Sequence, residues 1–332
     1  MVTETPAAQA GDRQNFMAGL DFSHSRRALA IADEDFHPVD PAQPHWTETS
    51  WWGIASADKG IGGWIYLRAR PNLGLIACGI YVFDARRNEM WDAIYQTDYQ
   101  HVALPAGQSY LGLDLDIGLK VTCERPFERH RIAYRDGDFA LDLAFSKVAP
   151  PWPVGLGPST GHFDQAMWAT GTIASGDEHF AIDDPAFRDR TWSGRADTAP
   201  CPLNFYTWGT TGDRAGTFYA AAGGIIAGRM SRQGEEKPIT AVKRSVPQRD
   251  ASGRPARIVL EIGFADGSAA RIEGRTRLTF PVIALPRTLA WSSVVEWSMD
   301  GSSFVGEDHE GWSLAHLREN RRKGGDLWST HL

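Results

Sequence analysis

The sequence predicts an all-β protein built as two similar antiparallel halves. Three observations carry this. The chain combines 34 Gly with 13 Trp in 332 residues, which suits short strands, where rings are favoured, joined by tight turns that need positive φ. Segments with period-two alternation recur along it, and ten-to-fifteen-residue helical patterns are scarce. Midway, the run Val148-Ala149-Pro150-Pro151-Trp152-Pro153-Val154-Gly155-Leu156-Gly157-Pro158 breaks the pattern, because proline cannot donate to a ladder.

Taken in order, residues 1–45 form an extended or disordered lead-in. Met1 to Gln14 is expected to be disordered, and Pro38, Pro41 and Pro44 punctuate an extended approach. Strand signals begin at Trp46. Gly63 to Arg68 is one strand and Leu75 to Phe83 is a second, nearly continuous in apolar residues. Glu89 to Tyr95, Leu111 to Val121, Arg131 to Tyr134 and Phe139 to Phe145 follow, with Arg135-Asp136-Gly137-Asp138 as a hairpin turn between the last two. The first domain is thus expected at 46–148, a linker at 149–160 and a second domain at 161–332. In the latter, strands are expected over Gly161 to Thr172, His179 to Ile182, Leu203 to Trp208, Gly216 to Ala222 and Ile225 to Met230. Arg257 to Phe264, Ala270 to Phe280 and Thr288 to Met299 complete the set, with a second Asp-Gly hairpin at Asp266-Gly267. The last twenty residues, rich in Arg318, Arg321, Arg322 and Lys323, read as a short helix. Trp52-Gly53 ahead of one strand and Trp208-Gly209 ahead of another echo each other, as a duplicated architecture would.

Net charge is −7, so a broad nucleic-acid footprint, which needs a basic surface, is not expected. Cys78, Cys123 and Cys201 are scattered and odd in number, which suggests neither a zinc cluster nor a disulfide framework and fits a reducing cytoplasm. No apolar run approaches the roughly 20 residues of a membrane span.

Several motif matches fail on context. Gly157-Pro158-Ser159-Thr160-Gly161 has the spacing of a nucleophile elbow, but a proline-rich stretch precedes it and a strand follows, where an elbow needs a strand and then a helix. Gly60-Ile61-Gly62-Gly63 lacks the βαβ setting of a dinucleotide site. Glu307-Asp308-His309-Glu310 reads as a solvated turn rather than a metal site, and no metal or other cofactor is expected.

The stretch from Gly161 to Thr172 is the most informative. As a strand it sets His162, Asp164, Ala166, Trp168 and Thr170 on one face and Phe163, Gln165, Met167, Ala169 and Gly171 on the other, neighbours on a face about 7 Å apart. The row of imidazole, carboxyl and indole is either a proton-transfer group or a hydrogen-bonded pair tying two strands. Phe187-Arg188-Asp189-Arg190-Thr191-Trp192 is similar. Extended, it sets Asp189 opposite in direction to its arginines, either as a surface Arg–Asp pair or as a carboxyl aimed into a cavity.

These residues carry a resemblance. Gly161-His162-Phe163-Asp164-Gln165, Arg188-Asp189-Arg190-Thr191-Trp192, and Glu296-Trp297 with Asp300-Gly301 and Gly306-Glu307 resemble the hydroxyneurosporene synthase / AttH-like group. Trp51-Trp52-Gly53 through Arg70-Pro71-Asn72-Leu73-Gly74 is similar to its uncharacterised bacterial branch. The likeness spans roughly residues 46–312 in scattered pieces, and departs after Trp192, where Ser193-Gly194-Arg195 stands in place of an immediate Gly. It implies two tandem lipocalin-like (calycin) antiparallel β-barrels and a chemistry drawn from carotenoid or kievitone hydratases, terpenoid cyclases and Diels–Alderases.

Residues and resemblance together predict a cofactor-independent hydratase or cyclase, a lyase or isomerase acting on an isoprenoid, steroid-like or polyene substrate. Protonating an alkene needs a strong acid, and a carboxyl buried among rings has its pKa raised by desolvation. A pericyclic reaction needs no acid, only an aromatic-lined cavity that holds the substrate folded. Asp164 is the expected acid with His162 orienting it or relaying a proton, and Asp189 and Glu307 stand in reserve. Trp52, Trp64, Trp168, Trp192, Trp208 and Gln165 are the expected walls of an apolar chamber, and rings there favour a passing carbocation by about 0.5–2 kcal/mol each. The alternatives are a lipocalin-like carrier or sensor of a lipophilic small molecule, which needs the walls but no acid, and a scaffold with a filled barrel.

Overall fold

A computed structural model of the chain describes residues 27–39, 43, 45–157, 160–194, 203–222, 226–232, 234–284 and 287–329. The expected disordered start at Met1 to Gln14, together with Pro41, Pro44, Ser159, Arg195 and Cys201, lies outside them. The chain is all-β, with two barrel-like antiparallel sheets in tandem and one short α-helix.

The first sheet draws on β1 (Trp46–Ser56), β2 (Ile61–Arg70) and β3 (Leu75–Asp84). A two-residue ladder of β4 (Asn88–Glu89) and β5 (Asp92–Ala93) stands apart from it. Then come β6 (Tyr95–Ala103), β7 (Gly112–Leu115), β8 (Leu119–Arg125), β9 (Arg129–Asp136) and β10 (Phe139–Lys147). The set ends with β11 (Trp152–Val154), β12 (Gly161–Ser175) and β13 (Glu178–Gly194). Strand order is β6-β3-β2-β1-β13-β12-β10-β9-β8-β7, with β11 added beside β12. The two ends curl toward each other. Tyr95 of β6 hydrogen-bonds the Tyr134 hydroxyl of β9 at 2.6 Å and stacks on Phe139 of β10 with ring centroids 3.8 Å apart. Trp52, Ile65, Ile80, Leu143 and Met167 fill the space enclosed.

The second sheet is a closed barrel of β14 (Leu203–Thr210), β15 (Gly216–Ala222), β16 (Ile226–Arg232), β17 (Glu235–Arg249), β18 (Pro255–Phe264), β19 (Ala269–Ala284), β20 (Thr288–Met299) and β21 (Ser302–Ser313). Its core holds Phe218, Leu260, Ile272, Trp297 and Phe304. α1 (Leu314–Lys323) follows. Gly324 ends it at φ 67°, and Arg321, Arg322 and Lys323 in the last turn face the negative end of the helix dipole.

Four expectations are corrected. The domain boundary does not fall at 149–160, because β12 and β13 belong to the first sheet, where they fill the gap between β1 and β10. Without them both of those strands would expose unpaired edges. The proline–glycine run is not wholly irregular: Trp152, Pro153 and Val154 pair with β12, and Pro153 is tolerated because β11 lies off the main strand path. Glu307 to Glu310 is no solvated turn but the buried middle of β21. The turn is Asp300-Gly301, at φ 49° and 77°, the double left-handed geometry of a tight hairpin. Finally, the lead-in to β1 is not merely extended. It contains a 3₁₀ turn, Ile31–Glu34, whose Glu34 is fully buried against Arg188, because a guanidinium inside a barrel needs a counter-charge.

A third cluster lies between the sheets. Trp51, Trp64, Phe83 and Phe187 from the first meet Trp208, Tyr219, Phe280 and Val294 from the second. Fully burying an apolar side chain of this size is worth about 1.5–3 kcal/mol, so this seam holds the two sheets together.

Candidate active site

Strand parity builds the seam. In the β12–β13 ladder His162 stands opposite Thr191, Asp164 opposite Asp189 and Ala166 opposite Phe187. In the β1–β13 ladder Asp189 stands opposite Trp51, and in β1–β2 Gly53 stands opposite Trp64. Directly opposed residues share a face, and their neighbours Trp52 and Met167 fill the first core. The row from His162 to Trp64 therefore covers the outer face of the first sheet. The second barrel meets it with Tyr206 and Trp208 of β14, Tyr219 of β15, and Glu307 and His309 of β21.

The first carboxyl group is well supplied with donors. Asp164 and His162 are both buried. His162 Nε2 lies 3.1 Å from Asp164 Oδ2, and its Nδ1 lies 2.7 Å from the Thr191 hydroxyl. A neutral ring that donates from Nε2 to the carboxylate accepts the Thr191 hydroxyl at Nδ1. The Tyr206 hydroxyl donates to Asp164 Oδ1, so both carboxyl oxygens accept. Burial raises the Tyr206 pKa well above the phenol range, and the charges of Asp164 and Asp189 raise it further. Tyr219 is raised by burial and by Asp164 in the same way, although its hydroxyl makes no hydrogen bond of good geometry. Both phenols keep their protons.

The second carboxyl is differently placed. Glu307 is fully buried. Its Oε2 accepts from Trp208 Nε1 at 3.2 Å and lies 3.3 Å from His309 Nε2, whereas its Oε1 has no hydrogen-bond partner. Burial pushes its pKa up, and the contacts with His309 and Trp208 offset this only in part. His309 presents its ring at right angles to Trp51, centroids 5.1 Å apart, and lies 6.0 Å from Trp64. Trp51 also meets Tyr206 edge-on at 6.1 Å. Phe187 stacks on Trp208 at 5.4 Å and approaches Tyr206 at 5.8 Å. One set of rings thus borders both carboxyls.

Glu307 fits because Gly53 has no side chain, since a Cβ there would collide with Glu307 Oε2 and with the Trp51 ring. Gly53→Ala is therefore expected to destabilise the protein by about 1–3 kcal/mol, the usual cost of overpacking, as read by urea unfolding. An unchanged midpoint would show that the seam yields freely.

The structure brings together Asp164, His162, Asp189, Glu307, Trp64 and Trp208. It separates the other expected wall residues from them. Trp168 shares the face but sits further along it, its indole nitrogen 2.7 Å from Asp183 and its ring under Arg214. Trp52, Trp192 and Gln165 have the opposite parity and turn into the first barrel. Trp52 stacks with Tyr110, Trp192 with His37 at 4.4 Å, and Gln165 bonds Arg188 Nε at 2.9 Å. The arginines flanking Asp189 are buried rather than exposed, Arg188 against Glu34 and Arg190 against Glu48. Asp308 and Glu310 point into the second barrel against Arg244. Sequence reasoning missed Trp51, Tyr206, Tyr219 and His309. For His309 a signal existed: Glu307-x-His309 repeats, in reverse, the one-residue spacing of His162-x-Asp164.

Rings of the seam are in contact, Phe83 stacking on Phe280 with centroids 4.9 Å apart and Phe187 on Trp208 at 5.4 Å. Among the described residues, hollows of about 330 and 540 Å³ lie on the wall formed by β17, β18 and β19, and no seam residue lines either. No described helix is long and apolar enough to cross a membrane, and no described group of three or more His, Cys, Asp or Glu is arranged to hold a metal ion.

The family model described as "Domain of unknown function (DUF7064)" matches residues 30–306. No curated protein sequence matches the chain. Among solved structures it is similar to a protein described as an AttH from Nitrosomonas europaea, with 13% identity and a TM-score of 0.62, covering 88% of this chain and 99% of that one. It is also similar to kievitone hydratase from Nectria haematococca, with 12% identity, a TM-score of 0.55, and coverage of 89% and 97%. CghA gives 11% identity, a TM-score of 0.55, and coverage of 82% and 89%, and has also been solved with Sch210972. At these identities the likeness is one of fold.

Proposed function

Because the chain belongs to the DUF7064 family, whose description assigns no activity, we propose a function from the seam itself: a cofactor-independent hydratase or cyclase for a lipophilic alkene of isoprenoid, polyene or steroid-like type. The observation that carries this reading is the pair of His–carboxyl dyads, Asp164 with His162 and Glu307 with His309, set on opposing sheets among shared rings. The fold shared with kievitone hydratase is consistent with it.

The two carboxyls suit different tasks. Glu307 has a raised pKa and an oxygen free of partners, as an acid that must deliver a proton to carbon requires. Asp164 is already the acceptor of two hydrogen bonds, as suits a base backed by His162. The acid thus moves from Asp164, the sequence-based choice, to Glu307. In one cycle Glu307 protonates an alkene carbon, and the resulting cation is held by the ring faces of Trp51, Trp64 and Phe280. In a hydratase, water adds to the cation and loses its proton to the Asp164–His162 pair. In a cyclase, a second double bond attacks and the same pair removes a ring proton. A pericyclic step would need only the folded conformation that the rings impose. Substrate reaches Glu307 only when the seam rings part.

Mass spectrometry of lipophilic molecules retained by the purified protein identifies the ligand, and Asp164→Asn tests the assignment. The variant is expected to keep ligand retention and lose turnover by about 10²-fold or more. Unchanged turnover would remove Asp164 from the reaction. Release of the ligand chemically unaltered by wild-type protein would instead mark a carrier.

A further inference from the structure

We propose that His309 is the proton conduit between solvent and the Glu307 carboxyl, the residue that returns Glu307 to its acid form after each turnover. This rests on the reading of Glu307 as the acid and adds how that acid is recharged.

Glu307 is fully buried, so no proton reaches it directly from water. Among the described residues, two side chains hydrogen-bond its carboxyl, Trp208 and His309. The Trp208 indole is also fully buried, and an indole N–H donates but cannot accept a proton in exchange. His309 can do both. Its side chain is 23% exposed, whereas that of Glu307, two residues away on the same strand face, is 0% exposed. The ring therefore spans from the buried carboxyl to solvent-accessible space. An imidazole ring has two nitrogens, each able to accept or to donate a proton.

The other groups around His309 leave this path clear. Tyr206 stands opposite it on β14, but the Tyr206 proton is committed to Asp164. Ser292 stands opposite it on β20 and is buried. Trp51 and Trp64 contact it through their rings. In each cycle one proton moves from His309 Nε2 to Glu307 Oε2. As Nε2 gives up its proton, Nδ1 takes one from water, and rotation of the ring restores the starting tautomer, so the balance closes without any further reactant.

The test needs no substrate. Infrared spectroscopy at mildly acid pH isolates the carbonyl stretch of protonated Glu307 as the band lost in Glu307→Gln. On mixing into D2O, that band is expected to shift promptly in wild type, and at least about ten-fold more slowly in His309→Asn and in His309→Gln, because exchange must then await local opening. Two variants are used so that one failing to fold leaves the other to report. Wild-type exchange in a folded variant would overturn the conduit and leave Glu307 as the acid. Absence of any Glu307-dependent band down to the onset of acid unfolding would overturn both.

Discussion

Replacing Glu34 by Gln is expected to cost about 3–5 kcal/mol of stability, because it leaves a charged guanidinium buried without its partner. Both Glu34 and Arg188 have fully buried side chains. Arg188 Nη1 donates to Glu34 Oε2 at 2.9 Å, the Phe127 amide donates to Oε1 at 2.6 Å, and His130 Nε2 lies 3.6 Å from Oε2. Burial alone would raise the Glu34 pKa, but the Arg188 charge and the His130 contact outweigh it and hold the carboxyl well below its usual range. A depressed folded-state pKa contributes stability that is present above the unfolded value of roughly 4.3 and lost as pH falls through the folded one. His130, whose pKa burial and Arg188 lower, adds acid lability from roughly pH 6.5 downward. Urea unfolding across pH should therefore show Glu34→Gln below wild type at neutrality and converging with it only in strong acid. Parallel curves would mean that Glu34 ionises alike in the folded and unfolded chains, so that its charge adds nothing to stability. Adding Arg188→Met to Glu34→Gln should recover much of the loss, since an apolar replacement of a buried pair is often neutral.

That prediction concerns residues whose importance the sequence hid. The local features of the fold were readable, because alternation and turn chemistry are local. The Asp-Gly hairpins place Gly137 and Gly267 at φ 53° and 81°, and the basic C-terminal stretch is helical. Sheet membership was not readable. β13 pairs with β1 across the length of the first half, and Ser50 Oγ bonds the Asp189 carbonyl from 139 positions away. Nothing within either segment encodes such a partner. β17 escaped notice because most of its side chains face water, so it lacks the apolar beat of a core strand.

The site divides along the same line. Parity within β12 and β13 correctly grouped His162 with Asp164, and Asp189 with Thr191 and Phe187. It could not say which side of the sheet was the interior. Trp52 therefore stood in the reading where its neighbour Trp51 stands in the seam. Reading Glu307 to Glu310 as a turn failed for a different reason. Four polar residues in a row look solvated, yet alternate ones leave in opposite directions. Asp308 and Glu310 find Arg244 inside the barrel, and Glu307 and His309 find the seam.

Glu307→Gln is expected to lower turnover by about 10²–10⁴-fold, the range that general acid catalysis supplies, while ligand retention is unchanged, because Gln keeps the shape and the contacts of Oε2. Loss of activity alone would not separate an acid from a structural prop, and stability against pH does. Burial raises the Glu307 pKa in the folded state above its unfolded value. Its favourable contribution is then complete below pH of roughly 4.3 and is lost as pH rises through the folded pKa, since only the unfolded chain ionises freely in between. Gln has no proton to lose. Relative to wild type, Glu307→Gln should therefore gain stability steadily from acid toward alkaline pH, whatever fixed cost its amide brings. A difference that stays constant with pH would mean that Glu307 ionises as readily inside the protein as outside it. It would then hold no proton to give at neutral pH, and the acid would have to be sought elsewhere in the seam.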